Sequence, residues 1–553
     1  MKKVLSFREG HDFSRANKAS KLDAALAAEV SLRADQQCVT SGAKAHKQQL
    51  ENPNGTTKVV PFPTASIRLS NLRAFAVTGF VLVLLSGFAN AQQTWQQVPI
   101  PPLPKFTPQE PTRVQLPNGM VIFLQEDHEL PLITATVLVK GGSSSEPAAK
   151  TGLVSIYGST WRTGGTATKT GDQLDDELVS IAAHLETGGG TDTTSISLNC
   201  LKQNFDQVFA DFLEVMEHPV FREDKITLVK RQIDTGISRR NDEIGSIAGR
   251  ESAILGYGKN SPYAREPEYW TIAAVTRQDL LDWHQKHFFA NNIIFGIVGD
   301  FDSKQMEARL RQAFGSLPKG PAYDPPQIPV PGPKPGVYLA QKEDVNQSDI
   351  SLLGLGIRRD NPDYFAVRVM NEIFGGGFSS RLFKHLREEQ ALAYSVGGGV
   401  GSAYNHRGLI DINMGTKSAS TAKAMTALYQ QIDDLLNNPP NETELKQAQD
   451  SILNGFIFAY DSPGKILSER LVYELYGYPP DFLERFRDAV QKVTIADVNR
   501  VAHKYIDKSK LAVLVVGNPA DFDKPLSTFG PVTKLDIAIP TKPPTASAAA
   551  EKP

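Results

Sequence analysis

Few side chains in this sequence are spaced so that they could do chemistry together. Among the histidines beyond residue 91, only His284 and His287 lie close together, three positions apart on an expected helix. A protein zinc site needs three or four ligands, and no carboxylate stands at a set spacing from this pair. Packed or solvated imidazoles are therefore the expectation, and a zinc pair is the alternative. Cys38 and Cys200 form no thiolate metal pattern, and Cys200 sits in an alternating segment where a buried, inert thiol is expected. No Gly-x-Ser-x-Gly elbow is present. The run Gly375, Gly376, Gly377 lacks a following Lys-Ser/Thr, so it is not a phosphate loop. It reads either as a hinge or as a backbone wall beside a cavity. Arg387 and Tyr394 can each donate a hydrogen bond to a carbonyl oxygen that gains negative charge. From the residues alone they equally suit a surface arginine ending a helix and a tyrosine packed at a strand start.

The elements that must position these residues form a tandem repeat. Residues 275–299 align without a gap on residues 493–517, matching Val275 to Val493, Thr276 to Thr494, Asp279 to Asp497, Lys286 to Lys504 and Gly299 to Gly517. Each copy reads as a helix N-capped by its threonine, then a buried strand (Ile293 to Val298; Leu511 to Val516) closed by glycine. Alternation predicts strands over Ile133–Val139, Ile196–Cys200 and Leu409–Met414. Amphipathic spacing predicts helices over Leu174–Leu185, Phe205–Met216, Tyr364–Phe374 and Ala422–Leu436, and another beginning near Ser379. Strands and helices mix without a strict βαβ rhythm. The expected fold class is thus α+β, two homologous domains, each a mostly antiparallel sheet covered by helices. The domains span 105–316 and 338–530. Prolines 318, 321, 325, 326, 329, 331, 333 and 335 make 317–337 an extended linker. The Pro/Ala/Thr-rich tail, 540–553, is expected to be disordered.

At 553 residues the chain is too long for one core, and its 41% hydrophobic and 22% charged residues are ordinary for a globular protein. A net charge of -2 gives no electrostatic reason to expect nucleic acid as partner. Residues 73–91 read as a secretory signal: Arg68 and Arg73 flank an apolar run from Ala74 to Phe88, closed by Ala89-Asn90-Ala91. The run is shorter than the ~20 residues a bilayer core requires, so no stable membrane span is expected after cleavage. Residues 1–72 are read as an extension that is disordered or upstream of the true start. The expected location is exported, periplasmic or secreted. The mature chain would keep only Cys200 and hence no internal disulfide.

Longer motifs carry a resemblance. Leu116-Pro-Asn-Gly119, Val139-Lys-Gly-Gly-Ser143, Glu146-Pro147, Thr151-Gly-Leu153 and Gly164-Gly-Thr166 occur in the first half. The second half has Gly375-Gly-Gly-Phe-Ser-Ser-Arg-Leu-Phe383, then Leu386-Arg-Glu-Glu-Gln-Ala-Leu-Ala-Tyr-Ser-Val396. From Arg113 to Phe522 the chain resembles the two-domain subunits of the insulinase/pitrilysin (inverzincin) zinc peptidases, which close in clam-shell fashion. The resemblance implies an H-x-x-E-H helix after Gly152-Leu153, whose histidines bind zinc and whose glutamate activates the metal-bound water. Here Ser155 and Ser159 hold the histidine positions and Gly158 the glutamate position, on a helix whose Leu153, Ile156, Tyr157 and Trp161 keep an apolar stripe. The third ligand, a glutamate, should fall near Thr235 or Gly236, and Asp234 is a near miss with shorter reach. No zinc ligand is expected in this chain.

The resemblance also gives Arg387 and Tyr394 a role, holding peptide backbone near the scissile bond, with Gly375–Gly377 beside them. It makes the region from Gly188 to Ser195 the place where a peptide adds to the sheet edge. The function implied is a noncatalytic subunit of a heterodimeric zinc peptidase, inactive alone, which binds peptide substrates and supplies its Arg/Tyr pair to the zinc site of an H-x-x-E-H partner. Two alternatives stay open: an active metalloendopeptidase with an atypical metal site built on Asp234, and a peptide-binding or structural protein without a protease partner.

Overall fold

The computed structural model describes residues 109–543, which belong to one compact unit. The extension, the signal-like segment and the end of the tail lie outside the described residues. Among the described residues no helix is long and apolar enough to cross a membrane.

The first half runs through β1 (Thr112–Gln115), β2 (Val121–Glu126), β3 (Leu132–Lys140), α1 (Leu153–Thr163), α2 (Gly171–Ser180), β4 (His184–Gly189) and β5 (Thr193–Leu201). Helices α3 (Phe205–Glu217), α4 (Glu223–Ser238), α5 (Ile244–Tyr257), α6 (Tyr269–Ala274) and α7 (Arg277–His287) follow, then β6 (Ile293–Gly299) and α8 (Ser303–Phe314). After the proline-rich linker come β7 (Gly336–Gln341), β8 (Gln347–Leu355), the short β9 (Ile357–Arg358), α9 (Tyr364–Phe374) and a π-helix (Phe383–Glu389). The chain continues with β10 (Ser395–Val400), β11 (Ser402–Ala403), β12 (Leu409–Lys417), α10 (Thr421–Asn437), α11 (Glu442–Ala459), α12 (Pro463–Tyr476), α13 (Phe482–Lys492) and α14 (Ile495–Tyr505). It ends with β13 (Ala512–Gly517) and β14 (Val532–Leu535).

The two sheets repeat one plan. The first is ordered β1-β2-β6-β3-β5-β4 and the second, read from its far edge, β14-β7-β13-β8-β12-β10. In each, one parallel pair (β2 with β6; β7 with β13) continues into three antiparallel pairs. The repeated segments supply the central strands β6 and β13, whose unbroken apolar runs suit burial on both faces. The helices before them carry matching capping boxes: Thr276 accepts from Asp279 N–H, and Thr494 from Asp497 N–H. Only the sixth strands differ. β1 forms a hairpin-like antiparallel pair with β2, whereas β14 adds in parallel to β7. Both sheets are therefore mixed, within the expected α+β class.

Some expected boundaries move. The helix read over Leu174–Leu185 stops at Ser180, because Ala182 takes a left-handed φ of 51° and Leu185 already belongs to β4. The second sheet begins at Gly336 and takes in Val532–Leu535, outside the 338–530 span, since both segments pair with their neighbours despite weak alternation.

The halves also exchange helices. From the first half, α5 lays Ile247 and Ala248 on Leu353, Leu514 and Val516 of the second sheet. From the second half, α12 lays Leu467 and Leu471 on Val121, Phe123 and Ile294 of the first. Gly296 in β6 permits that approach, since a Cβ there would lie 2.8 Å from a Leu471 methyl. Trp161, Trp270 and Trp283 all lie in the first half. Leu471→Ala, although placed in the second half, should lower stability by about 2–5 kcal/mol and shift the tryptophan-detected urea midpoint. An unchanged tryptophan midpoint would show that the halves stand independently.

Candidate functional site

The helix matching the family's zinc helix, α1, is anchored at its start. Gly152 turns the chain with φ 101°, and the buried Glu146 carboxylate accepts from Gly152 N–H (2.9 Å) and Val154 N–H (2.9 Å). A carboxylate there meets the free amides and positive end of the helix. Leu153, Ile156, Tyr157 and Trp161 are buried, and Trp161 Nε1 donates to Val215 O (2.8 Å).

Ser155 and Ser159 face solvent one turn apart, while Gly158 is buried. Thr235 and Gly236 are exposed on α4, and the Thr235 hydroxyl donates to Arg231 O (2.8 Å). Asp234 turns its Oδ1 inward without a partner, and burial raises its pKa. Alcohol oxygens are not usual zinc ligands, and a glycine offers no base. Among the described residues no three His, Cys, Asp or Glu side chains gather to hold a metal ion. The side chains on this face do not fit zinc.

The remaining candidates of the first half are packing groups. His284 Nδ1 lies 2.8 Å from Tyr157 Oη, its ring stacks on Phe288, and burial pushes its pKa down to about 4. His287 stacks on Trp283 and bonds through Nδ1 to Trp283 O (3.0 Å). Cys200 is a buried free thiol, pushed up to about 11 by desolvation.

In the second half, Arg387 lies on the π-helix, exposed, with its guanidinium 4.8 Å from the Phe383 ring centre and no ion pair among the described residues. Tyr394 is 50% exposed just before β10, tied by its own N–H to Gly415 O (2.9 Å). No hydrogen bond or ring contact joins the two side chains among the described residues. Between them Leu392 folds back, its N–H donating to Leu386 O (2.9 Å) and its carbonyl accepting from Thr416 Oγ1 (2.7 Å).

The glycine run serves close approach and needs no unusual torsion. A Cβ on Gly375 would lie 2.5 Å from Gly398 O, and one on Gly376 2.8 Å from the Glu372 carboxylate. Gly377 is less confined, with only Glu372 Oε1 at 3.4 Å.

The sequence reading missed what holds this segment. Arg381 is buried, bidentate to Glu444 (2.7 and 3.0 Å), and also donates to Asp434 (3.0 Å) and Asn438 O (2.9 Å). His385 Nδ1 meets Gln431 Oε1 at 2.7 Å. Arg381 and His385 recur at i, i+4 and fasten one side of the segment, which leaves Arg387 on the other. Helical spacing could have signalled that division. The helix begins at Arg381, close to the expected start near Ser379, and its passage into the π-turn from Phe383 is what the sequence does not mark.

His284 carries a pH dependence. Its folded pKa lies below its unfolded value, so the unfolded chain binds more protons between about pH 6.5 and 4. The histidine's contribution, on the order of 3 kcal/mol, is complete above pH 6.5 and is lost as pH falls through 4. Replacing it, as in His284→Gln, should flatten that part of the stability profile relative to the parent chain, as measured by urea unfolding at stepped pH.

Comparison with known proteins agrees with this architecture. A family model described as insulinase (peptidase family M16) matches residues 121–248, and one described as the peptidase M16 inactive domain matches residues 274–452. The chain is similar to an uncharacterized zinc protease of Rickettsia felis, 22% identical, over 73% of this chain and 97% of that protein. It is also similar to the non-peptidase homolog YmxG of Helicobacter pylori, 22% identical, over 74% of this chain and 94% of that one. A crystal structure of a peptidase M16 inactive domain from Pseudomonas fluorescens superposes with TM-score 0.67 at 26% identity, covering 74% of this chain and 98% of that one. The chain thus belongs to the M16 (insulinase) peptidase family, as an inactive peptidase homologue.

Proposed function

We propose that this chain is the noncatalytic subunit of a two-chain M16 peptidase, exported from the cytoplasm, and handles peptides for an H-x-x-E-H partner that carries the zinc. One contrast carries the reading. Each position that the family resemblance assigns to a zinc ligand or to the base holds a residue unsuited to bind zinc or activate water: Ser155, Gly158, Ser159 and Thr235. The second half meanwhile holds Arg387 and Tyr394 at the surface on a segment anchored by Arg381. A guanidinium with no ion pair among the described residues, kept on a pinned backbone, is suited to meet a carbonyl oxygen that gains charge. Gly375–Gly377 bring the backbone beside that segment, and β4 is the edge strand of the first sheet, where an extended peptide would add ahead of Gly188.

The test mixes the purified chain with an H-x-x-E-H homologue from the same organism. Alone, the chain should hold no stoichiometric zinc and cleave no unfolded peptide. The mixture should cleave, and Arg387→Ala should reduce kcat/KM by roughly 10²–10³ fold, the range for loss of one donor to a developing oxyanion. Stoichiometric zinc together with cleavage by the lone chain would refute the reading.

A further inference from the structure

Gly158 sits in the middle of α1, where alanine would serve a helix better. Its surroundings give the reason. A Cβ at Gly158 would lie 2.2 Å from Gly189 N and 2.4 Å from Gly188 C, while a Cβ at Gly189 would lie 2.2 Å from Val154 O. Thr187 Oγ1 fastens the contact from the side, donating to Gly158 O (2.7 Å) and accepting from Arg162 N–H (3.3 Å). Helix and edge strand thus touch glycine to glycine, and around Gly158 each obstructing atom belongs to main chain. No side-chain rotation can open the space.

Neither partner is free to withdraw. β4 is held along its length by β5, from His184 opposite Asn199 to Gly189 opposite Thr194. Beyond it, Gly190 O accepts from Ser143 N–H (2.9 Å), and Asp192 accepts from Asn405 (2.9 Å) and Tyr476 (2.8 Å) of the second half. On the other side, α1 is fixed by Glu146 at its start and by Trp161 in the core.

We infer that Gly158 is a packing residue that seals α1 against the edge strand, and that the room a base side chain needs at this position is filled by the backbone of Gly188 and Gly189. The place of the catalytic base is then lost through the fold as well as through the residue type, and restoring a glutamate there would not restore the base. This holds whether or not the chain has a partner.

Two alanine variants of the full chain separate this from simple drift at an idle site. Gly236→Ala, on α4 where a Cβ meets nothing within 4 Å, should leave the melting temperature unchanged or raise it. Gly158→Ala should lower the melting temperature by several degrees despite the better helix former. Hydrogen exchange in that variant should quicken over α1 and β4 and stay unchanged in the second sheet. A third comparison adds Gly158→Glu to a chain already carrying Ser155→His, Ser159→His and Thr235→Glu. The added glutamate should lower the melting temperature again, relative to the threefold variant. The inference is overturned if Gly158→Ala melts at or above the parent, if exchange over α1 and β4 is unaltered, or if the fourfold variant melts like the threefold one.

Discussion

A sheet whose own helices cover one face leaves apolar surface on the other, and here that surface is covered by a helix borrowed from the opposite half. An ion pair accompanies the exchange, Arg113 with Glu474, but it is partly exposed on both sides and contributes at most about 1 kcal/mol. Burial of Leu467 and Leu471 contributes roughly 1.5–3 kcal/mol per side chain. The apolar contact therefore outweighs the charged one. It also makes the halves interdependent.

That dependence explains how a catalytic face can change while the scaffold stays. α1 is placed by groups that never face the site: a carboxylate under its first turn, a buried stripe and an indole N–H bonded to α3. The solvent-facing positions contribute little to this anchoring, so serines at 155 and 159 leave the helix where it was. Gly158 differs, because it faces the strand and its missing side chain sets how closely the two elements approach.

The legible parts of the fold were those with a local physical signature. Alternation marked β3, β5 and β12, and the matched Val-Thr segments gave both capping boxes and both central strands. The apolar runs also hid things. Leu178 and Leu185 look like one helical face, yet Ala182 turns the chain between them. The parallel addition of β14 and the exchange of α5 and α12 depend on contacts between distant segments, which periodicity does not record. At the site, residue types showed that zinc ligands were missing. They could not show that main chain fills the space, since a glycine in a helix looks the same whether its surroundings are empty, as at Gly236, or full, as at Gly158.

The edge strands carry the comparison of the halves one step further. In both, the helix after the third strand of the half closes over the C-terminal end of the edge strand: α1 over Gly188 and Gly189, α9 over β10. In the second half the closure is made by hydrogen bonds. Gly401 N–H bonds inward to Leu409 O, so by alternation Gly398 and Val400 point outward. Gly398 N–H is taken by Gly375 O (3.2 Å), and Val400 by both ends of the Asn371 side-chain amide, which stands in for a neighbouring strand. Both outward N–H groups at that end are thus taken. In the proposed role, backbone pairing along β10 is therefore confined to its first residues. Recognition in the second half then falls to the side chains of Arg387 and Tyr394.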